Sequence, residues 1–278
     1  MTLAVDHAVV NVLRDMDAAV QRFESLGFTL TPRGHHSLGS INHLMVFGRD
    51  YLELVGLPDG DGPVRREIAD SPTGLNGLVF ATADAGALHR DLEVRGVPAL
   101  PPLAFDRPVE IDGTIQRASF RTVRLDAGWV HGGRVYFCEH ETPERVWRPP
   151  WQHHRNGVYE LAGMTIVVPD PAREASRYAA LGAQTLQDGT ARDGEAVLTY
   201  GHFALRLVTP EGYSAHYGDL GSDGGGRAAF MGALALRTVA LARLRECVTA
   251  GAIAHRDLPA RVILAAQSWF NTVIEFVE

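Results

Sequence analysis

The chain has 278 residues, 46% of them apolar and 21% charged, a composition that excludes disordered and collagen-like chains. No apolar run approaches the roughly 20 residues of a membrane-spanning helix, and the N-terminus lacks the pattern of a signal peptide. The net charge is −7 and no basic stripe typical of nucleic-acid binding is present, so we expect a cytoplasmic protein that binds neither nucleic acid nor a membrane.

Four segments of the chain follow one plan: an apolar strand, an Asp or Thr, an amphipathic helix and a glycine. Their strands are VDHAVVNVLRD, GLNGLVFATAD, LAGMTIVVPD and GALALRT. The predicted helix N-caps, whose side-chain oxygens can accept a backbone N–H, are Asp15, Asp84, Asp170 and Thr238. The glycines predicted to end the helices in the left-handed conformation are Gly27, Gly96, Gly182 and Gly251. This regular spacing indicates an internal repeat, which determines the architecture.

Each of these glycines is followed by period-two or wholly apolar stretches, which predict strands. The predicted hairpins are INHLMVF with YLELVG, ASFRTVRL with RVYFCEH, EAVLTY with FALRLVTP, and RVILAA with NTVIEFVE. A weaker second strand completes each unit as β-α-β-β-β. The sequence therefore predicts an α+β fold of four such units.

A stretch rich in Pro and aromatic residues, PERVWRPPWQHHRNG, lengthens the interval between the second and third units. Domain boundaries usually fall in stretches of this kind. We therefore expect two domains of two units each, an N-terminal domain at residues 1–148 and a C-terminal domain at residues 157–278.

Paired βαβββ units of this size resemble the vicinal oxygen chelate superfamily, which includes glyoxalase I, extradiol dioxygenases and bleomycin resistance proteins. The segments DHAVVNV, NHLMVFGRDYLELVG and VYFCEHETPERVW are most similar to its glyoxalase-like domain proteins. The resemblance implies that paired units curl into incomplete barrels, each around a cup. It also implies that first and last strands supply ligands to a divalent metal (Fe, Zn, Mn, Ni or Mg) that binds two vicinal oxygens of the substrate.

Two residues of the first unit fall where the resemblance places metal ligands. His7 lies within the first strand, directly after Asp6, and a buried His needs a polar partner. Glu53 lies between apolar neighbours in the last strand, where an unpaired carboxylate is costly. We expect His7 to bind metal or substrate and Glu53 to bind metal or move a proton, with a structural role or an arginine partner as the alternative.

The second unit departs from this pattern. Asn76 stands where the resemblance places a His, and an amide oxygen is a weak ligand for transition metals. In the last strand, alternation directs Cys138 and His140 to one face. The expected metal set is therefore His7, Glu53 and His140, with Glu53 and His140 as catalytic residues. A metal-free cup that uses the same three residues as acid, base and hydrogen-bonding groups is the alternative.

Several residues are expected to line the pocket and bind substrate: Asn42, His43, Asn76, Trp129 and Cys138. Asn42 and His43 are neighbours in one strand, so at most one of them faces the cup. Core packing is the alternative for Trp129. Only two cysteines are present, Cys138 and Cys247; they exclude a disulfide scaffold and leave their own pairing open.

Most ligand positions are lost in the C-terminal domain. Ala162 and Phe230 stand where the first-strand histidine is expected, and Arg206 stands in place of the last-strand carboxylate of the third unit. Only Glu275, in the fourth unit, keeps a ligand type. We expect this domain to cover the first one or to form the interface of a homodimer.

These residues predict a metal-assisted lyase, isomerase or dioxygenase that acts on a small oxygen-rich molecule in the N-terminal cup. The alternative is a non-catalytic protein that binds a small molecule, a drug or a metabolite, as bleomycin resistance proteins do. A third interpretation is a structural domain with a relic cup, which predicts that no small ligand raises the melting temperature.

Overall fold

The computed structural model describes residues 3–60, 62, 64–182 and 194–278 of the chain. Within these residues, the first sheet consists of β1 (Val5–Leu13), β2 (Gly34–His36), β3 (Ser40–Val46), β4 (Tyr51–Gly56), β5 (Gly74–Ala81), β6 (Leu103–Ile111), β7 (Thr114–Arg124) and β8 (Arg134–His140). The second sheet consists of β9 (Val158–Val167), β10 (Glu195–Tyr200), β11 (Phe203–Val208), β12 (Phe230–Thr238), β13 (His255–Leu258), β14 (Arg261–Leu264) and β15 (Val273–Val277). The α-helices are α1 (Met16–Ser25), α2 (Arg66–Ala69), α3 (Ala85–Val94), α4 (Pro171–Leu181), α5 (Pro210–Tyr217) and α6 (Leu241–Ala250).

The chain folds as paired β-α-β-β-β units in two domains, which confirms the predicted α+β fold. The first, second and fourth units are complete: β1-α1-β2-β3-β4, β5-α3-β6-β7-β8 and β12-α6-β13-β14-β15. The third unit contains β9, α4, β10 and β11, and its predicted second strand falls on residues 183–193, which lie outside the described residues. Helices α2 and α5 are additions to the repeat. The domain limits at residues 148 and 157 stay a prediction.

The first sheet curls into an incomplete barrel. Its strand order is β2-β3-β4-β1-β5-β8-β7-β6. The central strands β1 and β5 are antiparallel, and each pairs in parallel with the last strand of its own unit. The two edges approach each other where the Ser37 amide donates to the Asp106 carbonyl at 3.1 Å. We call the concave side of this sheet the first cup.

The second sheet repeats the arrangement in the order β10-β11-β9-β12-β15-β14-β13. We call its concave side the second cup. Two tyrosines of α5, Tyr213 and Tyr217, are buried there and pack with Val167 and Val273 of the strands. The inserted helix therefore fills much of the second cup with side chains of the chain itself.

One apolar core runs through both domains. Phe23 of α1 packs edge-on against Trp269 of the C-terminal domain, with ring centroids 5.3 Å apart. The buried Asp50 carboxylate accepts hydrogen bonds from the Leu161 amide and the His202 ring of the C-terminal domain, both at 3.0 Å. Apolar and polar contacts therefore both hold the two domains together.

Two of the four predicted N-caps are confirmed. The carboxylates of Asp84 and Asp170 each accept a hydrogen bond from the amide three residues ahead, at 2.8 and 2.9 Å. The prediction for Asp15 is wrong, because its side chain makes no such bond. The prediction for Thr238 is also wrong, because α6 begins after Ala240, whose amide donates to the Thr238 hydroxyl at 3.2 Å.

Two of the four helix-ending glycines are confirmed. Gly27 and Gly96 have φ angles of 90° and 69°. Gly182 is extended, with φ of 167°, and Gly251 continues the helical conformation with φ of −82°. Because α6 runs one residue further, the left-handed position after it falls on Ala252, with φ of 48°.

Cys138 and Cys247 are both buried free thiols, so the open question of their pairing is answered. Among the described residues, no helix has the length and apolar character needed to cross a membrane. The cytoplasmic location and the homodimer stay predictions.

Candidate active site in the first cup

A β-bulge near the start of β1 sets the position of the first-strand histidine. The pairing of β1 with β5 shifts register between Val5 and His7, and bulges of this kind redirect side chains beside active sites. As a result Asp6 Oδ2 lies 3.1 Å from His7 Nδ1 although the two residues are adjacent in a strand. An ionised carboxylate can only accept a hydrogen bond, so His7 Nδ1 donates to Asp6 and Nε2 faces the cup.

The Glu53 carboxylate faces His7 Nε2. Its Oε2 lies 3.6 Å from His7 Nε2, and its Oε1 accepts a hydrogen bond from the Asn42 amide at 2.7 Å. Burial alone would raise the pKa of Glu53, but His7, His36 and the Asn42 amide together lower that pKa below its usual value. The Tyr136 hydroxyl lies 3.3 Å from the same His7 nitrogen. The first cup therefore holds an ionised carboxylate, an oriented imidazole and a phenol within reach of one another.

The structure places His140 behind Asp6 rather than beside Glu53. Its Nε2 donates to the two Asp6 carboxylate oxygens at 2.9 and 2.8 Å. Burial opposes ionisation of Asp6, yet His140 and His7 bring the pKa of Asp6 well below its usual value. Asp6 therefore stays ionised at neutral pH and orients two histidines at once.

The predicted set of His7, Glu53 and His140 does not form a compact group of ligand atoms. In the described part of the chain, the one group of His, Cys, Asp or Glu side chains with ligand atoms all within 4.8 Å of one another is Asp6, Cys138 and His140. His7 and Glu53 meet each other, whereas the ring of His140 is turned to Asp6. Glu53 and His140 therefore do not have their ligand atoms grouped as the predicted metal set requires.

Of the five predicted substrate-binding residues, two line the cavity of the first cup: Asn42 and Cys138. His43 lies on the other face of β3, where its ring contacts the Thr31 carbonyl at 2.7 Å and accepts from Arg33 at 3.2 Å. Both ring nitrogens of His43 are therefore engaged outside the cup, and its role in substrate binding stays a prediction.

Asn76 and Trp129 also lie outside this cavity. The Asn76 side-chain oxygen accepts a hydrogen bond from Arg134 Nε at 2.6 Å, so the amide that replaces a ligand is held by a cation. Trp129 packs against the apolar core shared by the two domains. Core packing, the alternative considered for Trp129, describes its position.

The cavity of the first cup has a volume of about 30 Å³, room for roughly one water molecule. Arg124 and Tyr136 line both this cavity and a neighbouring pocket of about 390 Å³. The neighbouring pocket is bounded by Glu67, Arg134 and the loop between β7 and β8. The small polar cavity therefore adjoins a space large enough for a small molecule.

An arginine cluster surrounds the place where the two cavities meet, and no sequence pattern predicted it. Glu67 of α2 pairs with Arg65, Arg124 and Arg134 at 3.1, 3.3 and 3.0 Å. Burial raises the pKa of Glu67, but Arg65 and Arg134 hold it at about 2. Arg65 and Glu67 are neighbours at the start of α2, whereas Arg124 and Arg134 come from β7 and β8, so no local pattern in the sequence would have grouped all four.

Arg107 is a second residue that sequence reasoning missed. It lines the cavity, is 1% exposed, and its Nη1 and Nη2 have no hydrogen-bond partner among the described residues. A signal for it was present, since the alternation of β6 places Arg107 on the same face as the apolar Val109 and Ile111.

Two β-α-β-β-β units around a cup, with an imidazole from the first strand facing a carboxylate from the fourth, define a protein of the vicinal oxygen chelate fold. A family model described as glyoxalase-like domain matches residues 5–182. The chain belongs to this glyoxalase-like domain family.

Solved structures with this fold cover nearly the whole chain. A hypothetical protein from Staphylococcus aureus is 10% identical with a TM-score of 0.69, covering 99% of this chain and 98% of its own. A mutant of 4-hydroxymandelate synthase from Streptomyces coelicolor is 13% identical with a TM-score of 0.63, covering 99% and 92%. A fusion of a xylose isomerase-like TIM barrel with 4-hydroxyphenylpyruvate dioxygenase is 12% identical, with a TM-score of 0.59 over 99% of this chain and 49% of the fusion. At these identities the likeness shows the fold alone. A search among curated proteins found no match.

Proposed function

We propose that the protein is an enzyme that acts on a small oxygen-rich molecule in the first cup, as a metal-assisted lyase, isomerase or dioxygenase. The observation that carries this proposal is the apposition of His7 Nε2 and Glu53 Oε2, 3.6 Å apart in a polar cavity. An imidazole nitrogen that faces an ionised carboxylate is an arrangement that binds a cation or exchanges protons.

The donor atoms of the first unit suit a divalent metal. Bonds from such ions to His nitrogen and carboxylate oxygen are about 2.0–2.2 Å, so donors 3.6 Å apart can bind one ion together. His7 and Glu53 would hold it, and Asp6 would orient His7 from behind. When bound there, the metal would act as a Lewis acid on vicinal oxygens of the substrate.

The side chains around this pair would handle protons. Glu53, ionised at neutral pH, lines the cavity and would accept a proton from the substrate. Burial raises the pKa of Tyr136, so its hydroxyl stays protonated and can donate a hydrogen bond to a developing oxyanion. Two of the structural neighbours bear the names of a synthase and a dioxygenase, which makes oxygen consumption the first activity to assay.

A non-catalytic binding protein is the second candidate. The observation that favours it is the second unit, where the Asn76 oxygen is held by Arg134 and His140 is held by Asp6. With two protein ligands rather than three, the cup would bind metal weakly and could serve to bind a small molecule directly.

Metal analysis of the purified protein separates these candidates. We expect about one divalent ion per chain in the wild type, loss of that ion in His7→Ala, and retention in His35→Ala, which changes an exposed histidine of the same domain. A wild type that contains no metal after exposure to Fe, Zn, Mn, Ni and Mg would overturn the metal-assisted proposal and favour the binding protein.

A further inference from the structure

The side chain of Arg107 carries a buried charge that no hydrogen bond within the described residues satisfies. The guanidinium is buried on the wall of the first cup, and both terminal nitrogens have no hydrogen-bond partner among the described residues. Glu53 attracts this charge without bonding to it, and a buried cation without a hydrogen-bonded partner is costly in a folded protein. The fold therefore tolerates an unfavourable group at one place in the cavity.

The other residues on the cavity wall supply less negative charge than the guanidinium groups there carry positive charge. Arg65 and Arg124 also line the cavity, and both pair with Glu67, which has Arg134 as a third partner. Among the residues that line the cavity, Glu53 is the one carboxylate. Three guanidinium groups thus face one carboxylate, and the cavity carries an excess of positive charge.

We propose that Arg107 binds the carboxylate of an acidic substrate, so that the enzyme acts on a small carboxylic acid. The proposal rests on the proposed function, since it assigns the substrate class of the same cup. The two free Nη groups form the planar fork that pairs with a carboxylate through two hydrogen bonds.

The ligand-free protein already distinguishes this role from a structural one. If Arg107 exists to receive a ligand, Arg107→Met removes an unpaired buried charge and keeps much of the apolar stem, so the melting temperature should stay level or rise. If Arg107 stabilises the fold, the same change should lower the melting temperature. Arg117→Met is the matched control, because Arg117 lies in the adjacent strand β7 and pairs with Asp106 at the surface.

Binding is tested with lactate and mandelate, their neutral amides lactamide and mandelamide, and inorganic phosphate. We expect the two acids to raise the melting temperature of the wild type and of Arg117→Met. Neither amide should do so, and calorimetry should give at least about tenfold weaker binding of the acids to Arg107→Met. Amides that act as well as acids, phosphate that acts through Arg107 where the acids do not, or an unchanged response in Arg107→Met would overturn the proposal. If no probe acts on the wild type, a melting temperature of Arg107→Met below that of the wild type overturns it, and one level with the wild type or above it supports it.

The same titration on protein treated with a chelator separates this inference from the proposed function. Arg107-dependent binding of the acids in a protein that never contains metal would leave the inference standing and overturn the metal-assisted enzyme. Bound metal that depends on His7, together with no response to the acids and a less stable Arg107→Met, would overturn the inference about Arg107 and leave the metal-assisted enzyme standing.

Discussion

The two cups share one strand arrangement and differ in how their buried carboxylates are satisfied. In the first cup Glu53 faces His7 and open space beside it. In the second cup Glu275 accepts a hydrogen bond from the Tyr217 hydroxyl and pairs with Arg261 at 3.2 Å. Both carboxylates border a cavity. Glu275 is paired with a cation and a phenol, whereas Glu53 faces a histidine, the partner that the proposed metal site requires.

The inserted helix α5 accounts for much of this difference. It follows β11 and places Tyr213 and Tyr217 inside the second cup. The corresponding insertion in the first domain, α2, lies beside the cup and contributes Glu67 to the arginine cluster. One insertion fills a cup and the other surrounds its entrance with charge.

The largest expected effect is a loss of stability when the second cup is emptied. Tyr217→Ala removes a nearly buried aromatic side chain, and such truncations cost about 3–5 kcal/mol of unfolding free energy. Urea unfolding measures the loss, and metal content should not change. A cost below about 1 kcal/mol would mean that α5 does not hold the second cup together. Tyr217→Phe, which keeps the ring, should cost less and isolates the hydroxyl.

A smaller effect should appear in the pH dependence of the unfolding free energy, through His36 in the first cup. Burial lowers the pKa of His36 from its ordinary 6.5 to about 4, against the attraction of Glu53. The unfolded chain takes up this proton below pH 6.5 and the folded site does so only near pH 4, so stability present above pH 6.5 is lost as the pH falls between these values. We expect the wild type to lose about 2 kcal/mol more than His36→Gln between pH 7 and pH 5.

The second cup supplies the comparison for this titration. Burial also lowers the pKa of His216, but this histidine is exposed on α5. His216→Gln should therefore change the pH dependence less than His36→Gln does. Equal effects of the two changes in urea titrations at pH 7 and pH 5 would contradict the difference in burial between the cups.

The smallest expected effect compares helix starts in different units. Asp84→Ala removes a hydrogen bond to the first turn of α3 and should lower the melting temperature slightly, because the first-turn amide loses its partner. Asp15→Ala removes no such bond and should cost close to nothing. Thermal unfolding of the two variants checks this, and equal losses would contradict the observed cap geometry.

The fold was predictable from the sequence because its signals are local and repeated four times. Apolar periodicity, cap residues and glycines located the units. Strand alternation predicted that at most one of Asn42 and His43 faces the cup, without saying which, and the structure has Asn42 on the cavity wall and His43 on the other face. These inferences need only the neighbouring residues of one strand.

The rest of the site depends on contacts between distant segments, which no local pattern contains. The bulge that brings Asp6 beside His7 depends on the pairing of β1 with β5. The hydrogen bond between His140 and Asp6 joins residues 134 positions apart. The position of α5 in the second cup could not be predicted for the same reason, since a short segment without a clear apolar face does not reveal which surface it covers.

Metal content in a matched pair of variants tests most directly whether chemistry is confined to the first cup. Glu53→Gln and Glu275→Gln make the same change at the last strands of the two cups, and an amide is a poor ligand for transition metals. We predict that elemental analysis finds about one ion per chain in the wild type and in Glu275→Gln and little in Glu53→Gln. A metal that survives in Glu53→Gln, or disappears in Glu275→Gln alone, would contradict the account.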